Sequence, residues 1–191
     1  MNFLAHIYLS GEDEEVQFGN FIGDWIKGNK YENYPEKIKK GIILHRKIDT
    51  FTDSNKISLD SSKRMRAVYG KYAGVVVDIL YDHFLASNWE KYSNISLKQY
   101  SKNFNKVVRK HYKFLPKRAK SFAPLFLLNN RLVCYANLEC FEDVLVKMSI
   151  YTSLPDKTKE AIIHIKQNYS EYASEFEAFF KEIRKELNIY K

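Results

Sequence analysis

The amino-acid sequence predicts an all-α fold: a single-domain helical bundle over residues 1–191. Apolar residues recur at spacings of three and four, the periodicity of amphipathic helices, and alternating strand-like runs are scarce. All seven glycines lie at or before Gly74, and the four prolines punctuate the periodic segments rather than interrupt them. The 191 residues are 45% apolar and 15% aromatic, which is enough to bury one substantial core.

Nine helices are expected in chain order. Each covers a segment in which the three- and four-residue apolar spacing persists. Asn2, Ser96 and Asp156 stand near the starts of three segments, and their side chains are of the types that cap helix N-termini. The predicted segments are 2–9, 13–28, 35–52, 60–72, 75–92, 96–115, 122–130, 137–150 and 155–187.

The segment 96–115 is predicted to rest an apolar face on the core and to present a basic ridge to solvent. Pro116 is expected to end this helix. Lysines recur along one side at spacings of four and three, namely Lys102, Lys106, Lys110, Lys113 and Lys117. The opposite side carries Phe104, Val107, Val108, Phe114 and Leu115.

The last segment, 155–187, is predicted to pack on the core as one long helix. Its apolar stripe has helical spacing. The stripe consists of Ile162, Ile165, Tyr169, Tyr172, Phe176, Phe179 and Ile183.

The net charge of +8 is unevenly distributed. No Asp or Glu occurs between Glu90 and Glu139, an interval with eleven Lys or Arg residues, which we call the basic belt. This local positive field indicates an acidic protein, a nucleic acid or an anionic membrane surface as a partner, or else a solvated basic face.

The chain is expected to be cytoplasmic. No apolar run approaches the roughly 20 residues needed to span a bilayer. The start, MNFLAHIYLSGEDEE, lacks the basic region of a signal peptide. Cys134 and Cys140 form no CxxC motif, which fits a reducing compartment, and we expect them to serve in packing.

Histidines and carboxylates form four clusters in the first 83 residues. His6 lies in NFLAHIYL, and Asp24 lies in GNFIGDWIKGN. In GIILHRKIDTFTD, one helical face would align three residues at spacings of four. These are His45, Asp49 and Asp53, with Arg46 and Lys47 beside them. The fourth cluster lies in DILYDHFLASNW and comprises Asp78, Asp82 and His83.

Together these residues predict a divalent metal site, with a buried His–Asp–Arg hydrogen-bond network as the alternative. Imidazole and carboxylate are ligands for Mn²⁺, Fe²⁺ or Zn²⁺, and a carboxylate-rich set favours harder ions such as Mn²⁺ or Mg²⁺. Charges in so apolar a run as 78–89 are costly to bury unpaired, so an ion, a buried Arg or exposure of that face is needed. The sequence contains no GxxxxGK[ST], HExxH or GxSxG motif.

The motifs MNFLAH, GNFIGDWIKGN, GIILHRKIDTFTD and DILYDHFLASNW occur in an order that resembles the acyl carrier protein phosphodiesterase family. The resemblance implies an all-helical fold related to the HD-type metal-dependent phosphohydrolases. It also implies removal of 4′-phosphopantetheine from holo acyl carrier protein, with Mn²⁺ as the expected metal and Mg²⁺ or Fe²⁺ as alternatives.

The resemblance implies a set of site residues. The expected metal ligands are His6, Asp24, His45, Asp49, Asp82 and His83, and the expected catalytic residues are Asp24, Arg46, Asp49 and Asp82. Asp53 and Asp78 are expected to orient ligands, and Arg46 or Lys47 to contact phosphate. The chain departs from the family pattern at the order Asp82-His83 and at Ile150, where an Arg is usual.

The expected partner is acyl carrier protein, a small acidic protein that the basic belt would attract; neither a membrane nor a nucleic acid is expected. Two alternatives remain open at this point. One is an HD-like phosphohydrolase acting on a nucleotide or another small phosphodiester. The other is a basic helical module that binds nucleic acid without catalysis.

Overall fold

A computed structural model describes residues 1–128 and 131–189. Within them eleven α-helices are joined by short 3₁₀ turns, and no strand is present. The all-α prediction is confirmed, whereas the HD-like relationship and the extent of the domain over 1–191 stay predictions. The helices are α1 (Phe3–Tyr8), α2 (Glu14–Phe21), α3 (Glu36–Ser54), α4 (Lys56–Tyr69), α5 (Ala73–Ser87), α6 (Leu97–Lys110), α7 (Lys117–Leu128), α8 (Arg131–Cys134), α9 (Leu138–Tyr151), α10 (Thr158–Gln167) and α11 (Tyr169–Glu186).

Two glycines allow α2 and α3 to cross closely. A Cβ atom added to Gly19 would lie 2.0 Å from the Ile38 carbonyl oxygen, and one added to Gly41 would lie 2.2 Å from the Val16 carbonyl oxygen. Any larger residue would therefore push the two backbones apart. This crossing brings Asn20 of α2 against His45 of α3.

Helices α4 and α5 form a hairpin around the 3₁₀ turn Gly70–Tyr72, and α11 packs along α4. The hydroxyl groups of Ser61 and Tyr81 are 2.8 Å apart across the hairpin. Ser61 also donates to Glu175 of α11 at 2.5 Å. The buried apolar residues of all these helices belong to one hydrophobic core.

Several predicted helix boundaries are wrong. The long helix over 155–187 is broken at Asn168, whose ψ of 26° lies outside the helical range, and α10 and α11 meet there. The helix predicted over 13–28 ends at Phe21, because the chain turns through the 3₁₀ segment Gly23–Trp25. The helix predicted over 60–72 begins at Lys56, where the Asn55 side chain accepts the Ile57 and Ser58 amides.

The basic ridge is also less continuous than predicted. Helix α6 ends at Lys110, a 3₁₀ turn covers Tyr112–Phe114, and Pro116 precedes α7. The helix predicted over 122–130 begins at Lys117 and includes Pro124, and residues 129–130 lie outside the described part of the chain.

Two of the three predicted caps are confirmed. The Asn2 side chain accepts from the Phe3 amide, and the Ser96 side chain accepts from the Gln99 amide. The residue directly before α10 is Lys157 rather than Asp156. The Asp156 carboxylate still accepts from the Thr158 hydroxyl at 3.0 Å.

Cys134 and Cys140 are paired as a disulfide, with their Cα atoms 5.5 Å apart. This pairing was not predicted from the sequence. Cys134 ends α8 and Cys140 lies in the first turn of α9, so the three residues between the helices bring the sulfur atoms together. Among the described residues, no helix is both long and apolar enough to cross a membrane.

Candidate metal centre

His6, His45 and Asp49 converge on one point between α1 and α3. One ligand atom from each lies within 4.8 Å of the others. Nε2 of His6 is 3.2 Å from Oδ1 of Asp49, and Nε2 of His45 is 3.2 Å from Oδ2 of the same carboxylate. His45 and Asp49 share a helical face because they are four residues apart. This arrangement confirms that the two sequence segments meet.

Asp24 stands at the edge of this group. Its Oδ1 is 3.4 Å from Nε2 of His45, and its side chain is 63% exposed. The neighbouring Gly23 makes room for the imidazole, since a Cβ atom there would lie 2.3 Å from Cγ of His45. Asp24 is therefore the more exposed of the two carboxylates in the group.

Asn20 lies within hydrogen-bond distance of both imidazoles. Its side-chain oxygen lies 2.8 Å from Nδ1 of His6 and 3.2 Å from Nδ1 of His45. Its amide nitrogen donates to the His6 carbonyl at 2.9 Å and to the Ser10 hydroxyl at 2.8 Å. Asn20 is fully buried, and the two rings stack with centroids 4.2 Å apart.

This network determines which nitrogens remain available. The Asn20 oxygen only accepts, so the hydrogen of each imidazole must sit on Nδ1. Each Nε2 then directs a lone pair at the Asp49 carboxylate, and the Met1 carbonyl oxygen lies 3.1 Å from Nε2 of His6. Nε2 of His45 is buried without a well-formed hydrogen bond. Acceptors facing acceptors require a proton or a cation between them.

The pKa shifts follow from this crowding. Burial lowers the pKa of His6 to about 4, so this imidazole is neutral at pH 7. Burial would also lower the pKa of His45, but the adjacent carboxylates of Asp24 and Asp49 outweigh it and raise that pKa to about 9. The nearby His45 imidazole holds the pKa of Asp24 below its ordinary value. Without a cation, His45 therefore carries the proton that the group needs.

The donor set fits a divalent metal ion. Two imidazole nitrogens and two carboxylates suit Mn²⁺, Fe²⁺ or Zn²⁺. Both histidines have Nδ1 bonded to Asn20, which leaves Nε2 on the side of the carboxylates. A hydrogen bond on the second ring nitrogen commonly orients metal-binding histidines.

Asp82 lies outside this group, although it is among the predicted ligands. It is fully buried, and its two oxygens accept from the backbone amides of Leu4 at 2.7 Å and Ala5 at 3.0 Å. These amides belong to the first turn of α1, where helix N–H groups have no partner within the helix. Burial raises the pKa of Asp82 to about 7. Its observed contacts anchor α1, and with it His6, to α5.

We expect Asp82→Ala to destabilise the fold. The substitution leaves two buried amides without an acceptor, each of which costs about 1–3 kcal/mol. The free energy of unfolding, measured with urea, should fall by roughly 2–5 kcal/mol. Ser87→Ala, on the same helix, should change it little. An Asp82→Ala protein with unaltered stability and no metal affinity would instead make Asp82 a ligand.

His83 also has partners elsewhere. Its Nδ1 donates to the Tyr135 carbonyl at 2.9 Å, and its Nε2 accepts from the Tyr169 hydroxyl at 3.0 Å. Burial lowers its pKa, which keeps the imidazole neutral. Both nitrogens are thus satisfied by α11 and by the segment after α8, and the structure does not bring His83 to the metal group.

Arg46 and Lys47 point away from the group as well. The Arg46 guanidinium donates to the carbonyls of Ile26 at 3.0 Å and Gly28 at 2.6 Å, and it lies over the ring of Tyr31. It therefore fastens the segment after Asp24 to α3. Lys47 pairs with Glu186 at 3.3 Å. Neither residue is placed by the structure to contact a phosphate at the group.

Asp78 and Asp53 lie next to the group without joining it. Oδ1 of Asp78 is 2.9 Å from the Met1 amino group, and the Met1 carbonyl contacts His6. Asp53 lies one helical turn beyond Asp49. Their expected role of orienting ligands stays a prediction.

The comparison with known families decides the classification. The profile of a family described as acyl carrier protein phosphodiesterase matches residues 1–183. The chain belongs to this family. A relative named acyl carrier protein phosphodiesterase from Yersinia pestis is 31% identical over 150 residues, which are 78% of each chain. A second, from Photorhabdus laumondii, is 27% identical over 94% of this chain and 91% of its own. No solved structure matches the chain.

Asn20 was not among the site residues predicted from the sequence. It lies in GNFIGDWIKGN, four residues before Asp24, and the signal was an amide with Phe18 two residues before it and Phe21 directly after it. A buried amide needs hydrogen-bond partners, and two histidines can supply them. The glycines at 19, 23 and 41 gave a second signal, because each marks a close approach.

Proposed function

We propose that this protein is a metal-dependent phosphodiester hydrolase that removes 4′-phosphopantetheine from holo acyl carrier protein. Family membership and the names of its relatives support the reaction. We infer the metal from the convergence of the Asp49 carboxylate with two Nε2 atoms, whose imidazoles both bond to Asn20 through Nδ1. His6, His45 and Asp49 would hold the ion, for which the two imidazoles favour Mn²⁺ or Fe²⁺ over Mg²⁺.

The reaction places water oxygen on phosphorus and breaks the bond from phosphorus to the serine oxygen of the carrier protein. The serine oxygen takes a proton, and the products are the apo protein and 4′-phosphopantetheine. A bound divalent ion would neutralise phosphoryl oxygens and lower the pKa of water. Asp24 completes the ligand set or accepts the proton of the attacking water, because its carboxylate is exposed beside His45.

The reaction is tested by incubating purified protein and Mn²⁺ with holo acyl carrier protein. Mass spectrometry should show the carrier losing the mass of the arm, and a chelator should prevent the loss. A second sample contains a small phosphodiester in place of the carrier. Hydrolysis of the small compound with the carrier left intact would contradict the proposal and favour a small-molecule phosphohydrolase.

The carrier protein is proposed to dock with the help of the basic belt. On α6 the side chains of Lys102, Lys106 and Lys110 are exposed, whereas Phe104, Val107 and Val108 are buried. Lys110 is already paired with Glu14 at 2.6 Å, so its charge is partly offset. A Lys-rich exposed helix accelerates encounter with an acidic protein. The expected cytoplasmic location, where such a carrier would be met, stays a prediction.

Charge reversal tests this surface. We expect Lys102→Glu combined with Lys106→Glu to raise KM for holo acyl carrier protein by about tenfold at low salt and less at high salt. A matched variant reverses Lys159 and Lys166 of α10, which are also exposed. Equal effects of the two double variants would show that only net charge matters and that α6 is not the docking surface.

A further inference from the structure

A cleft of about 550 Å³ is lined by Asp53, which lies one helical turn beyond Asp49 on α3. Small-molecule sites in proteins commonly fall between about 300 and 1,000 Å³. The cleft lies between the C-terminal end of α3, the hairpin of α4 and α5, and the turn that joins the two. Its walls include Asp53, Ser58, Leu59, Ser62, Arg66, Lys71, Val75 and Asp78.

The cleft begins one helical turn from the proposed metal ligands. His45, Asp49 and Asp53 follow one another at spacings of four on α3, and each step advances about 6 Å. Asp49 belongs to the metal group, and Asp53 lines the cleft. From the other side, Asp78 lines the cleft and contacts the Met1 amino group, whose own carbonyl lies 3.1 Å from Nε2 of His6.

The walls offer apolar, hydroxyl and cationic groups along one path. Leu59 and Val75 are 46% and 42% exposed, which is high for large apolar side chains. Ser58 and Ser62 supply hydroxyls from the same face of α4. Arg66 lies eight residues beyond Ser58, which is about 12 Å along the helix. Among the described residues, neither Arg66 nor Lys71 forms an ion pair.

We propose that this cleft holds the 4′-phosphopantetheine arm of the carrier protein, which rests on the function proposed above. The arm is a flexible chain with a dimethyl group, a hydroxyl, two amides and a terminal thiol, and its phosphate is the reacting group. With the phosphate at the metal group, the chain extends past Asp53 and Asp78. Its dimethyl group then packs on Leu59 and Val75, and its amides meet the serine hydroxyls and Arg66.

The mixed lining favours this occupant over a nucleotide or a plain acyl chain. No Phe, Tyr or Trp is among the described residues that line the cleft, so the cleft offers no aromatic ring on which a base could stack. A plain acyl chain would leave the hydroxyls of Ser58 and Ser62 without partners. The arm has a dimethyl group that can contact the apolar residues and amides that can hydrogen-bond to the hydroxyls.

Narrowing the cleft tests the proposal. We expect Val75→Trp to lower kcat/KM for holo acyl carrier protein by about tenfold or more, mostly through KM. Ile163→Trp on α10 is the matched control, because Ile163 is 58% exposed and lies outside the cleft. Thermal unfolding of both variants verifies that they are folded.

Binding of free pantetheine gives an independent readout. In the wild-type protein, the methyl signals of Leu59 and Val75 should shift on addition of pantetheine, while those of Ile163 should not. Unmoved Leu59 and Val75 signals, or a folded Val75→Trp protein with the activity of Ile163→Trp, would overturn the proposal. Shifted signals in a wild-type protein that does not hydrolyse holo acyl carrier protein would overturn the proposed function and leave the arm site standing.

Discussion

Replacing Asp49 by Asn should abolish both divalent-metal binding and hydrolysis of holo acyl carrier protein. Asp49 is the carboxylate that faces both imidazoles, with its two oxygens 3.2 Å from the two Nε2 atoms. An Asn at this position removes the negative charge and gives the group one oxygen instead of two. Mutating a residue that only orients a ligand typically lowers metal affinity by about 10–100-fold. Removing a ligand itself should therefore lower Mn²⁺ affinity by more than about a hundredfold.

The measurement is isothermal titration of the apo protein with Mn²⁺, alongside the mass assay for the carrier. Asp60→Asn is the matched control, because Asp60 is an exposed carboxylate on α4 with no place in the group. The Asp49→Asn protein should remain folded, since Asp49 is 42% exposed. Mn²⁺ affinity equal in Asp49→Asn and Asp60→Asn would remove Asp49 from the ligand set.

Replacing Asn20 by Leu should weaken Mn²⁺ binding by about 10–100-fold. The Asn20 oxygen is the only group that holds Nδ1 of both imidazoles in the described structure. With Leu there, each ring is free to carry its hydrogen on Nε2, where the ion should bind. ¹⁵N spectra of the histidine rings, recorded at neutral pH, read the hydrogen position directly and do not depend on activity.

Asn20→Asp provides the matched comparison. Both variants lose the amide donors to the His6 carbonyl and Ser10, so both should be less stable than the wild type. Only the Asn20→Asp protein keeps an acceptor for Nδ1 of the two rings. It should therefore bind Mn²⁺ at least about tenfold more tightly than the Asn20→Leu protein. Equal Mn²⁺ affinity in the Leu variant and the wild type would show that Asn20 serves stability alone.

The part of the site on α3 could be predicted because its geometry is local. A spacing of four on one helix places His45 and Asp49 on a common face, whatever the rest of the fold does. The sequence also places Asp82 and His83 side by side in one predicted helix, and both lie on α5. Their partners, however, come from Leu4 and Tyr135, which lie 78 and 52 residues away along the chain.

Buried polar residues on an apolar helix therefore indicate only that each has a hydrogen-bonding or ionic partner, and not which group that partner is. A backbone amide at a helix start satisfies a carboxylate as well as an ion does, and sequence periodicity is identical in the two cases. Arg46 shows the same limit, since carbonyls of the segment after Asp24 occupy the guanidinium that was expected to meet phosphate. Such pairings are set by tertiary contacts.

The break at Asn168 has a similar origin. The apolar stripe from Ile162 to Ile183 keeps helical spacing across the break, and no Gly or Pro marks it. At the break, the Asn168 side chain donates to the His164 carbonyl at 2.8 Å, and the Asn168 backbone amide donates to the same carbonyl at 3.1 Å. Side-chain bonds of this kind compete with the helix, and propensity alone does not forecast which Asn will use them.

The most direct measurement is the anomalous diffraction of a crystal grown with Mn²⁺. We expect one strong peak at ligand distance from Nε2 of His6, Nε2 of His45 and a carboxylate oxygen of Asp49, with Asn20 still bonded to both Nδ1 atoms. A peak beside Asp82 and His83, or no peak between α1 and α3 at a saturating Mn²⁺ concentration, would contradict the account.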